Sequence, residues 1–412
     1  MWKSEVGRLK DPAALGARPE AFVIGDLSLV RALGREGVRS RLVTSNPNGA
    51  ERWSRFVSDV VEVEHFEVDP EGAIRILNAS AGDDRPVLFY QGDHDLLAVS
   101  RARERVERHF RVMLPPPALV EDLVDKLRFQ TFAEKLGLPV PPGLCLVHGL
   151  DWGPELDRWT RFPAVIKPNR REGWFGSDLL VAANARGKAI HVRGPTELKR
   201  LRPWLQRHPT DVLLQQAIPG DESNLLSYHA YVRPGGEVVG EFTGHKVRTY
   251  PATYGLSTYV VVDDNAPLRT LGRDICERMG FSGVVKLDFK RDPFSGGLYL
   301  LEANPRFNLW HHPGALAGVN LPYLVYVDLV QPGAIRGGVS RVERHVRWVG
   351  GVGRDFWARF EDRTPDVRAF GAWAREVFTA QIVEAPRLSD PGPFLYSLLD
   401  RTQRLVRGRG TS

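Results

Sequence analysis

The stretch KLDFKRDPFSGGLYLLEANPRF, residues 286–307, predicts a β-hairpin that carries two acids. Two apolar runs flank a loop with Asp-Pro and Gly-Gly, which is the pattern of two strands joined by a turn. Because side chains alternate between the two faces of a strand, Lys286 and Asp288 share one face of the first strand. In the second strand, the same alternation groups these side chains on one face: Leu298, Leu300, Glu302 and Asn304.

The two acids of this hairpin are predicted to face each other. If the hairpin closes about Ser295, Asp288 lies directly opposite Glu302, with Cβ atoms ~5 Å apart. Facing like charges destabilise a strand pair, and burial raises that cost unless a cation or a shared proton neutralises them. Asn304 extends the polar row, and carboxylate and amide oxygens suit Mg²⁺, which keeps its other positions for water and phosphate. The hairpin therefore predicts a metal–phosphate site; the alternative is a solvent-facing strand face with interleaved acids and bases.

The composition is that of a globular protein with two or three domains. Of 412 residues, 42% are hydrophobic and 26% charged, and the formal net charge is only +6, which gives no basic patch that a nucleic acid would require. Cys145 and Cys276 are too few for a disulfide framework. The N-terminus has no apolar signal segment, and no stretch approaches the ~20 apolar residues of a membrane span. We therefore expect a cytoplasmic protein that binds neither nucleic acid nor membrane.

The first ~115 residues predict a parallel sheet. The patterns AFVIG, VRSRLVTS and PVLFYQGD are typical of strands, and LSLVRALGREG and LLAVSRARERVERHF are typical of helices between them. Ligands of such sheets bind at the carboxyl ends of strands, where Gly25, Asp26, Gly92 and Asp93 fall. For the two aspartates, helix N-capping is favoured over substrate contact. The absence of G-x-G-x-x-G argues against a dinucleotide site.

Three further motifs precede the hairpin: VDKLRF at 124–129, PAVIKP at 163–168 and LLQQAIPGDE at 213–222. A lysine directed inwards from the apolar strand of PAVIKP is costly unless it meets an anion. Together with the LDF and LLEANPR segments of the hairpin, and in this order, the motifs resemble the ATP-grasp superfamily of carboxylate–amine (or thiol) ligases. The resemblance covers residues 116–335 through motifs and the N-terminal part through its pattern alone.

The resemblance implies an α/β fold that is α+β in its ATP-binding part. An N-terminal Rossmann-like domain (1–115) would precede a first ATP-grasp subdomain with the lid (116–220), a second with the metal site (221–335) and a helical C-terminal extension (336–412).

The resemblance also assigns roles to individual residues. Lys126 and Lys167 would reach the phosphates of ATP, the backbone from Gln216 to Ile218 would pair with adenine beside Gln215, and Glu222 would bind the ribose hydroxyls. Three residues would bind Mg²⁺ (or Mn²⁺): Asp288, Glu302 and Asn304. Lys286 and Arg306 would steady the transferred phosphate and the acyl phosphate. Lys246, in GHKVR, would bind phosphate or substrate, with Arg248 as a weaker candidate.

Two segments depart from the superfamily pattern. The loop after Lys167, NRREGWFGSD, keeps flexible glycines but holds the bulky Trp174 and Phe175, which pack either on a substrate or on their own domain; Arg170 and Arg171 are placed to close on phosphate. The segment FNLWHHPG at 307–314 puts four side chains next to the chemistry: Asn308, Trp310, His311 and His312. They shape a substrate pocket, or the histidine pair is simply a turn with satisfied imidazoles.

The resemblance implies an ATP-dependent ligase that joins a carboxylate to an amine through an acyl phosphate and releases ADP and phosphate. Its substrates would be small molecules, among them an amino acid or small peptide, and homodimerisation is common in the superfamily. Three alternatives stay open: a phosphotransferase on a hydroxyl acceptor, a non-catalytic ATP-binding sensor or scaffold, and a biotin-dependent carboxylase component. For the last, the chain lacks a biotinyl MKM segment.

Overall fold

Three β-sheets organise the chain, as expected for a mixed α/β protein. The computed structural model describes residues 19–170, 173–185, 187–251, 255–336, 338–361, 366–380, 382–383 and 387–408, of which 382–383 and 401–408 are described by backbone only. Within these ranges, no helix combines the length and the apolar character that crossing a bilayer requires.

The N-terminal sheet is parallel throughout, as predicted, with the order β3-β2-β1-β4-β5. Its strands are β1 Ala21–Ile24, β2 Ser40–Thr44, β3 Val57–Glu62, β4 Val87–Tyr90 and β5 Arg111–Val112. Its helices are α1 Leu27–Gly34, α2 Pro70–Ser80, α3 Asp93–Arg101 and α4 Arg103–Glu107. All four residues of β1 are buried, since helices cover both faces of the sheet. The elements β3 and α2 were not predicted; β3 is a partly exposed edge strand without a continuous apolar run.

A four-stranded antiparallel sheet follows, with the order β6-β9-β7-β8. Its strands are β6 Gly143–Leu146, β7 Ala164–Pro168, β8 Ile190–Val192 and β9 Val212–Gln216. The helices of this region are α5 Pro117–Val124, α6 Lys126–Lys135, α7 Gly153–Arg158, α8 Asp178–Ala183 and α9 Pro195–Arg207. One face of the sheet forms a core of its own with Trp174 and Leu201, both of which are fully buried. Trp174 therefore packs on its own domain, which decides one alternative left open for the loop.

The third sheet has seven strands in the order β14-β13-β10-β11-β12-β15-β16. They are β10 Leu225–Val232, β11 Val238–Tyr250, β12 Leu256–Asp263, β13 Gly283–Arg291, β14 Leu298–Asn304, β15 Val346–Val349 and β16 Ile382–Val383. The remaining helices are α10 Ala266–Arg278, α11 His311–Leu316, α12 Leu321–Val330, α13 Val352–Phe360, α14 Val367–Thr379 and α15 Gly392–Gly408. The C-terminal region thus contributes strands β15 and β16 in addition to helices.

One hydrophobic core joins the N-terminal sheet to the seven-stranded sheet. It contains Val23 from the first sheet, Leu29 from α1, and Phe242 and Val284 from the second sheet, with α11 and α12 between the sheets. The sequence of α12, LPYLVYVDLV, is apolar around most of its circumference, as expected for a helix buried on several sides. This packing brings the carboxyl ends of β1 and β4 close to the end of β14.

The C-terminal helix is fastened to the N-terminal domain by a buried aspartate just before it. Asp390 is 0% exposed and accepts hydrogen bonds from Arg31 Nε (2.8 Å), Ser54 Oγ (2.8 Å) and the Arg55 backbone N–H (2.9 Å). The rings of Trp53 and Tyr396 stack with centroids 5.5 Å apart. The last described helix therefore closes onto the first domain of the chain.

Candidate active site

The hairpin β13–β14 places Asp288 directly opposite Glu302 and Lys286 opposite Asn304, which is the register predicted. The register shifts after Asp288, so that Phe289 pairs with Leu300 and the intervening Leu301 is the extra residue of a β-bulge.

The bulge corrects one sequence expectation. Leu300 turns into the core with Ala303 and does not share a face with Glu302. Glu302 itself is exposed, whereas Asp288 is buried.

Asp288 is neutralised by two lysines. Its Oδ2 lies 2.7 Å from Lys286 Nζ and its Oδ1 3.7 Å from Lys246 Nζ. Ser227, which the sequence did not single out, donates a hydrogen bond of 2.6 Å to Oδ1. Burial alone would raise the pKa of Asp288, but the two ammonium groups and the hydroxyl hold it well below its usual range. The buried acid is therefore ionised, and three predicted residues meet at one point.

Arg306, which follows the polar row, connects the hairpin to the N-terminal domain. Arg306 Nη2 donates to Asn304 Oδ1 at 3.2 Å and to Asp93 Oδ2 at 3.3 Å, while Nη1 donates to the Gln91 carbonyl at 2.9 Å. Burial would raise the pKa of Asp93, but the Arg306 charge lowers it. The interface thus holds a charge-assisted pair beside the acids of the hairpin.

The helix-capping hypothesis holds for one aspartate and fails for the other. Asp26 caps α1 by accepting from the Ser28 N–H. In α3 the N-cap residue is Gly92, whose N–H donates to the side chain of Asp95, so that Asp93 is left to pair with Arg306. Because β1 lies between β2 and β4, these residues surround the crevice where the strand order reverses, the usual ligand site of a parallel sheet.

The first two predicted phosphate lysines lie on α6 and on β7 of the smaller sheet, and the charge of Glu302 on the seven-stranded sheet acts on the second of them, Lys167. Lys126 begins α6, and its Nζ donates to the Asn169 carbonyl at 3.0 Å, at the start of the glycine-containing loop. Lys167 Nζ donates to Gln215 Oε1 at 2.8 Å, and Gln215 Nε2 donates to Gln130 Oε1 at 2.8 Å. Burial lowers the pKa of Lys167 to about 8, against the opposing charge of Glu302.

The predicted adenine and ribose contacts lie along the chain that leaves β9. The Gln216 N–H donates to the Pro142 carbonyl and the Ala217 N–H to the Pro163 carbonyl, each at 2.9 Å. The N–H of Ile218 has no hydrogen-bond partner within the described residues, which leaves one donor at the edge where adenine is expected.

Glu222 lies at the start of the turn beyond this edge. It accepts from Thr249 Oγ1, and burial raises its pKa. Lys290, which sequence reasoning missed, lies on β13, the strand that carries Asp288. Burial lowers its pKa, while the nearby charges of Asp221 and Glu222 raise it. Its sequence signal was the two-residue spacing from Asp288.

Arg248 does not belong to the site. Its Nε and Nη2 donate to the two carboxylate oxygens of Asp355 at 3.0 and 2.8 Å, and Nη1 donates to Glu376. Asp355 is fully buried and also accepts from Thr258 and Trp373. The expectation that Arg248 is a weak candidate for phosphate binding is therefore wrong, because the residue anchors the C-terminal helices to β11.

The loop after Lys167 is only partly described. Gly173 and Gly176 have φ of 67° and 76°, a left-handed conformation that favours glycine. Phe175 and Arg170 are exposed. Arg171 lies outside the described residues.

The segment after Arg306 is buried to an extent that its sequence did not indicate. Trp310 and His311 are 1% and 0% exposed, and neither ring nitrogen of His311 has a hydrogen-bond partner within the described part of the chain. The alternative of a turn with satisfied imidazoles is therefore wrong for His311. A second histidine in the same state, His229 on β10, carries no motif and was not predicted.

The donor set fits a hard cation bound together with phosphate. Over the described ranges there is no group of three or more His, Cys, Asp and Glu side chains that would hold a metal alone. Asp288 and Glu302 supply two facing carboxylates and Asn304 an amide oxygen, which matches Mg²⁺ that completes its shell with phosphate and water.

Comparison with known proteins found a relative in sequence and several solved structures of similar fold. No protein-family model matches the chain. A D-aspartate ligase from Enterococcus faecium (strain Aus0004) is 26% identical over 290 residues, 68% of each protein.

Solved structures agree in fold. An N5-carboxyaminoimidazole ribonucleotide synthetase from Thermus thermophilus matches with a TM-score of 0.57 and 20% identity over 81% of this chain and 83% of that one. The biotin carboxylase domain of a Hydrogenobacter thermophilus 2-oxoglutarate carboxylase matches with a TM-score of 0.59 and 14% identity. This match covers 80% of this chain and 73% of that one. The chain is therefore similar in sequence to a D-aspartate ligase, and it shares the fold of the synthetase and carboxylase structures.

Proposed function

We propose that the protein activates a carboxylate with ATP as an acyl phosphate and transfers the acyl group to the amine of an amino acid or small peptide. The observation that carries this proposal is the polar row of the hairpin. Two acids face each other on β13 and β14, and Lys286, Lys246 and Arg306 lie beside them. A site that only bound nucleotide would not need this density of charge at its reacting end.

ATP would lie in the cleft between the smaller sheet and the seven-stranded sheet. Its adenine would accept a hydrogen bond from the Ile218 N–H, and its ribose hydroxyls would donate to the Glu222 carboxylate. Its phosphates would bind Lys126 and Lys167. The hydrogen bonds that link Lys167 to Gln215 and Gln215 to Gln130 support this assignment, since they hold the Lys167 ammonium in position. Lys290 is a further cation near the ribose end.

Asp288, Glu302 and Asn304 would hold Mg²⁺ or Mn²⁺. The metal supplies charge neutralisation between the phosphates of ATP. The residues themselves contribute position: the strand register fixes the two acids on neighbouring strands, and Ser227 fixes the orientation of Asp288.

The reacting groups would lie between the three metal-binding residues of the hairpin and the crevice at the ends of β1 and β4. The substrate carboxylate attacks the γ-phosphate, the acyl phosphate and ADP form, and the amine then displaces phosphate from the acyl carbon. Lys286 and Arg306 would stabilise the negative charge of both steps, with Lys246 beside them, by placement rather than by covalent chemistry. Arg306 also ties this centre to Gln91 and Asp93, so a substrate in the crevice would meet the reacting phosphate.

The name of the Enterococcus relative makes amino acids the first substrates to test, D-aspartate among them. The predicted homodimer stays a prediction.

The test is to measure ADP and free phosphate together, with Mg·ATP and pooled D- and L-amino acids and short peptides, for the native protein and Glu302→Gln. We expect equal release of both products, only with substrate, and a decrease of about 10²–10³ in the variant. ADP without free phosphate would instead indicate phosphoryl transfer to a hydroxyl group. Tight ATP binding without turnover in any pool would contradict ligation.

A further inference from the structure

His229, His311 and Asn308 form a cluster of buried nitrogens near Lys286 that have no hydrogen-bond partner within the described residues. His229 and His311 are both 0% exposed, and none of their four ring nitrogens has a hydrogen-bond partner within the described residues. The buried Asn308 Nδ2 is also without one there. Buried polar groups are nearly always hydrogen-bonded, and a functional role is one explanation for an exception. Five such nitrogens from one segment and its facing strand therefore require an explanation.

The strand register brings this cluster to Lys286. His229 on β10 pairs directly with Lys286 on β13, so the two side chains share a face with Cβ atoms about 5 Å apart. Both pack against Trp310: the His229 ring centroid lies 5.2 Å from the Trp310 centroid, and Lys286 Nζ lies 5.9 Å from it. The His311 ring stands edge-on to the His229 ring at 6.3 Å. The two imidazoles therefore form one wall beside the lysine.

The histidines are neutral. Burial lowers the pKa of His311 to about 3 and that of His229 well below its usual range, and the nearby Lys286 charge lowers both further. A neutral imidazole carries one acceptor nitrogen, which an ammonium can use, whereas an imidazolium carries none. The wall is thus suited to receive a cation.

Lys286 needs such a second partner. Its ammonium has three donors, and its salt bridge goes to Asp288, which Lys246 and Ser227 also contact. Asp288 is also a residue that would hold the cation of Mg·ATP. If Asp288 held that cation, the metal would compete with Lys286 for its oxygens, and a second acceptor would keep the ammonium in position.

We propose that His229 and His311 are positioning residues, whose neutral ring nitrogens accept hydrogen bonds from the Lys286 ammonium once Asp288 is engaged elsewhere and so hold it beside the reacting carboxylate. The inference rests on the proposed function, because it assigns Lys286 to the acyl-transfer centre. It adds two residues that no motif marks and gives their unpartnered nitrogens a use.

Two double variants separate this role from simple core filling. H229F/H311F removes every acceptor and keeps aromatic rings, and H229Q/H311Q keeps an acceptor at each position. We expect kcat to fall about 10- to 100-fold in the phenylalanine pair, as a displaced catalytic group does, with KM for ATP little changed and much of the loss restored by glutamine. The thermal midpoint of the phenylalanine pair should not fall, because it buries fewer unpartnered polar atoms.

A second readout does not depend on turnover. In protein labelled with ¹³C-lysine, the Lys286 Cε resonance is identified by its loss in K286R and recorded with and without Mg·ATP. We expect Mg·ATP to shift this resonance in the native protein and in the glutamine pair, but to a different position in the phenylalanine pair. The single variants H229F and H311F serve the same purpose if the double variant does not fold.

The outcomes are distinct. Identical Lys286 resonances in all variants, or full activity in the phenylalanine pair, would overturn the positioning role and leave the histidines as core residues. Equal loss of stability and activity in both pairs would do the same. If the native protein shows no ligation in any pool while the resonances behave as expected, the proposed function fails, and only the hydrogen bonding of Lys286 to the two imidazoles stands.

Discussion

Arg306 and Asp93 form an ion pair across the boundary between the hairpin and the N-terminal domain, with the same guanidinium donating to Asn304. The residue that would stabilise the acyl phosphate is thus oriented by a strand end far away in sequence. An arginine held by a carboxylate keeps a fixed direction for its remaining donors.

This relationship predicts that Asp93 acts on chemistry and not on nucleotide affinity. In Asp93→Ala we expect kcat to fall about 10²-fold, because a small displacement of a catalytic group costs that much, while the Kd for ATP stays within about twofold. Steady-state kinetics and isothermal titration calorimetry would measure the two. Asp93→Asn, which keeps an acceptor oxygen, should lose less.

A matched control for this variant is Glu71→Gln, in the exposed pair with Arg105 of the same domain. It should leave both quantities unchanged. A loss of ATP affinity in Asp93→Ala that equals its loss of kcat would contradict the orienting role and indicate a general opening of the interface.

The pKa of Lys167 predicts a pH dependence of ATP binding. Because burial lowers that pKa to about 8, the free protein carries a cationic Lys167 below pH 8 and a neutral one above it. A neutral amine attracts phosphate less, so the Kd for ATP should rise as the pH increases from 7 to 9. Lys167→Arg, which stays charged in this range, should show a flatter profile. A native Kd that is constant over this range would show that Lys167 does not contact phosphate.

Much of this site could be predicted from local patterns. The facing positions of Asp288 and Glu302 follow from strand alternation and the centre of the turn, both of which are local properties. The same applies to Lys167 on an apolar strand. The grouping of Leu300 with Glu302 on one face was predicted wrongly because a bulge at Leu301 changes the faces without a sequence signal.

The contacts that were missed join segments distant in sequence. His229 meets Lys286 through strand pairing, and Asp93 meets Arg306 through domain packing, at separations of 57 and 213 residues. Arg248 was misassigned for the same reason, since its partners Asp355 and Glu376 lie more than 100 residues downstream. A single sequence contains no periodicity that pairs such positions.

Lys246 and Arg248 provide a matched comparison on one strand. Lys246→Met removes a cation beside Asp288, so we expect kcat to fall at least 10-fold, as for other charge-stabilising groups. Arg248→Met removes the partner of the buried Asp355, so we expect a lower free energy of unfolding with little change in the Kd for ATP. Activity assays and urea unfolding distinguish the two. The reverse pattern would return Arg248 to the site.

The buried pair of Arg31 and Asp390 predicts how the C-terminal helix contributes to stability. Arg31 is 4% exposed and Asp390 0%, so Asp390→Ala would leave a buried guanidinium without its carboxylate. Removing one partner of such a pair typically costs about 3–5 kcal/mol, and urea unfolding should show a loss of this size. The double variant R31M/D390L, which removes both charges, should recover much of it. If the double variant is as unstable as Asp390→Ala, the stabilisation comes instead from the hydrogen bonds of Asp390 to Ser54 and Arg55.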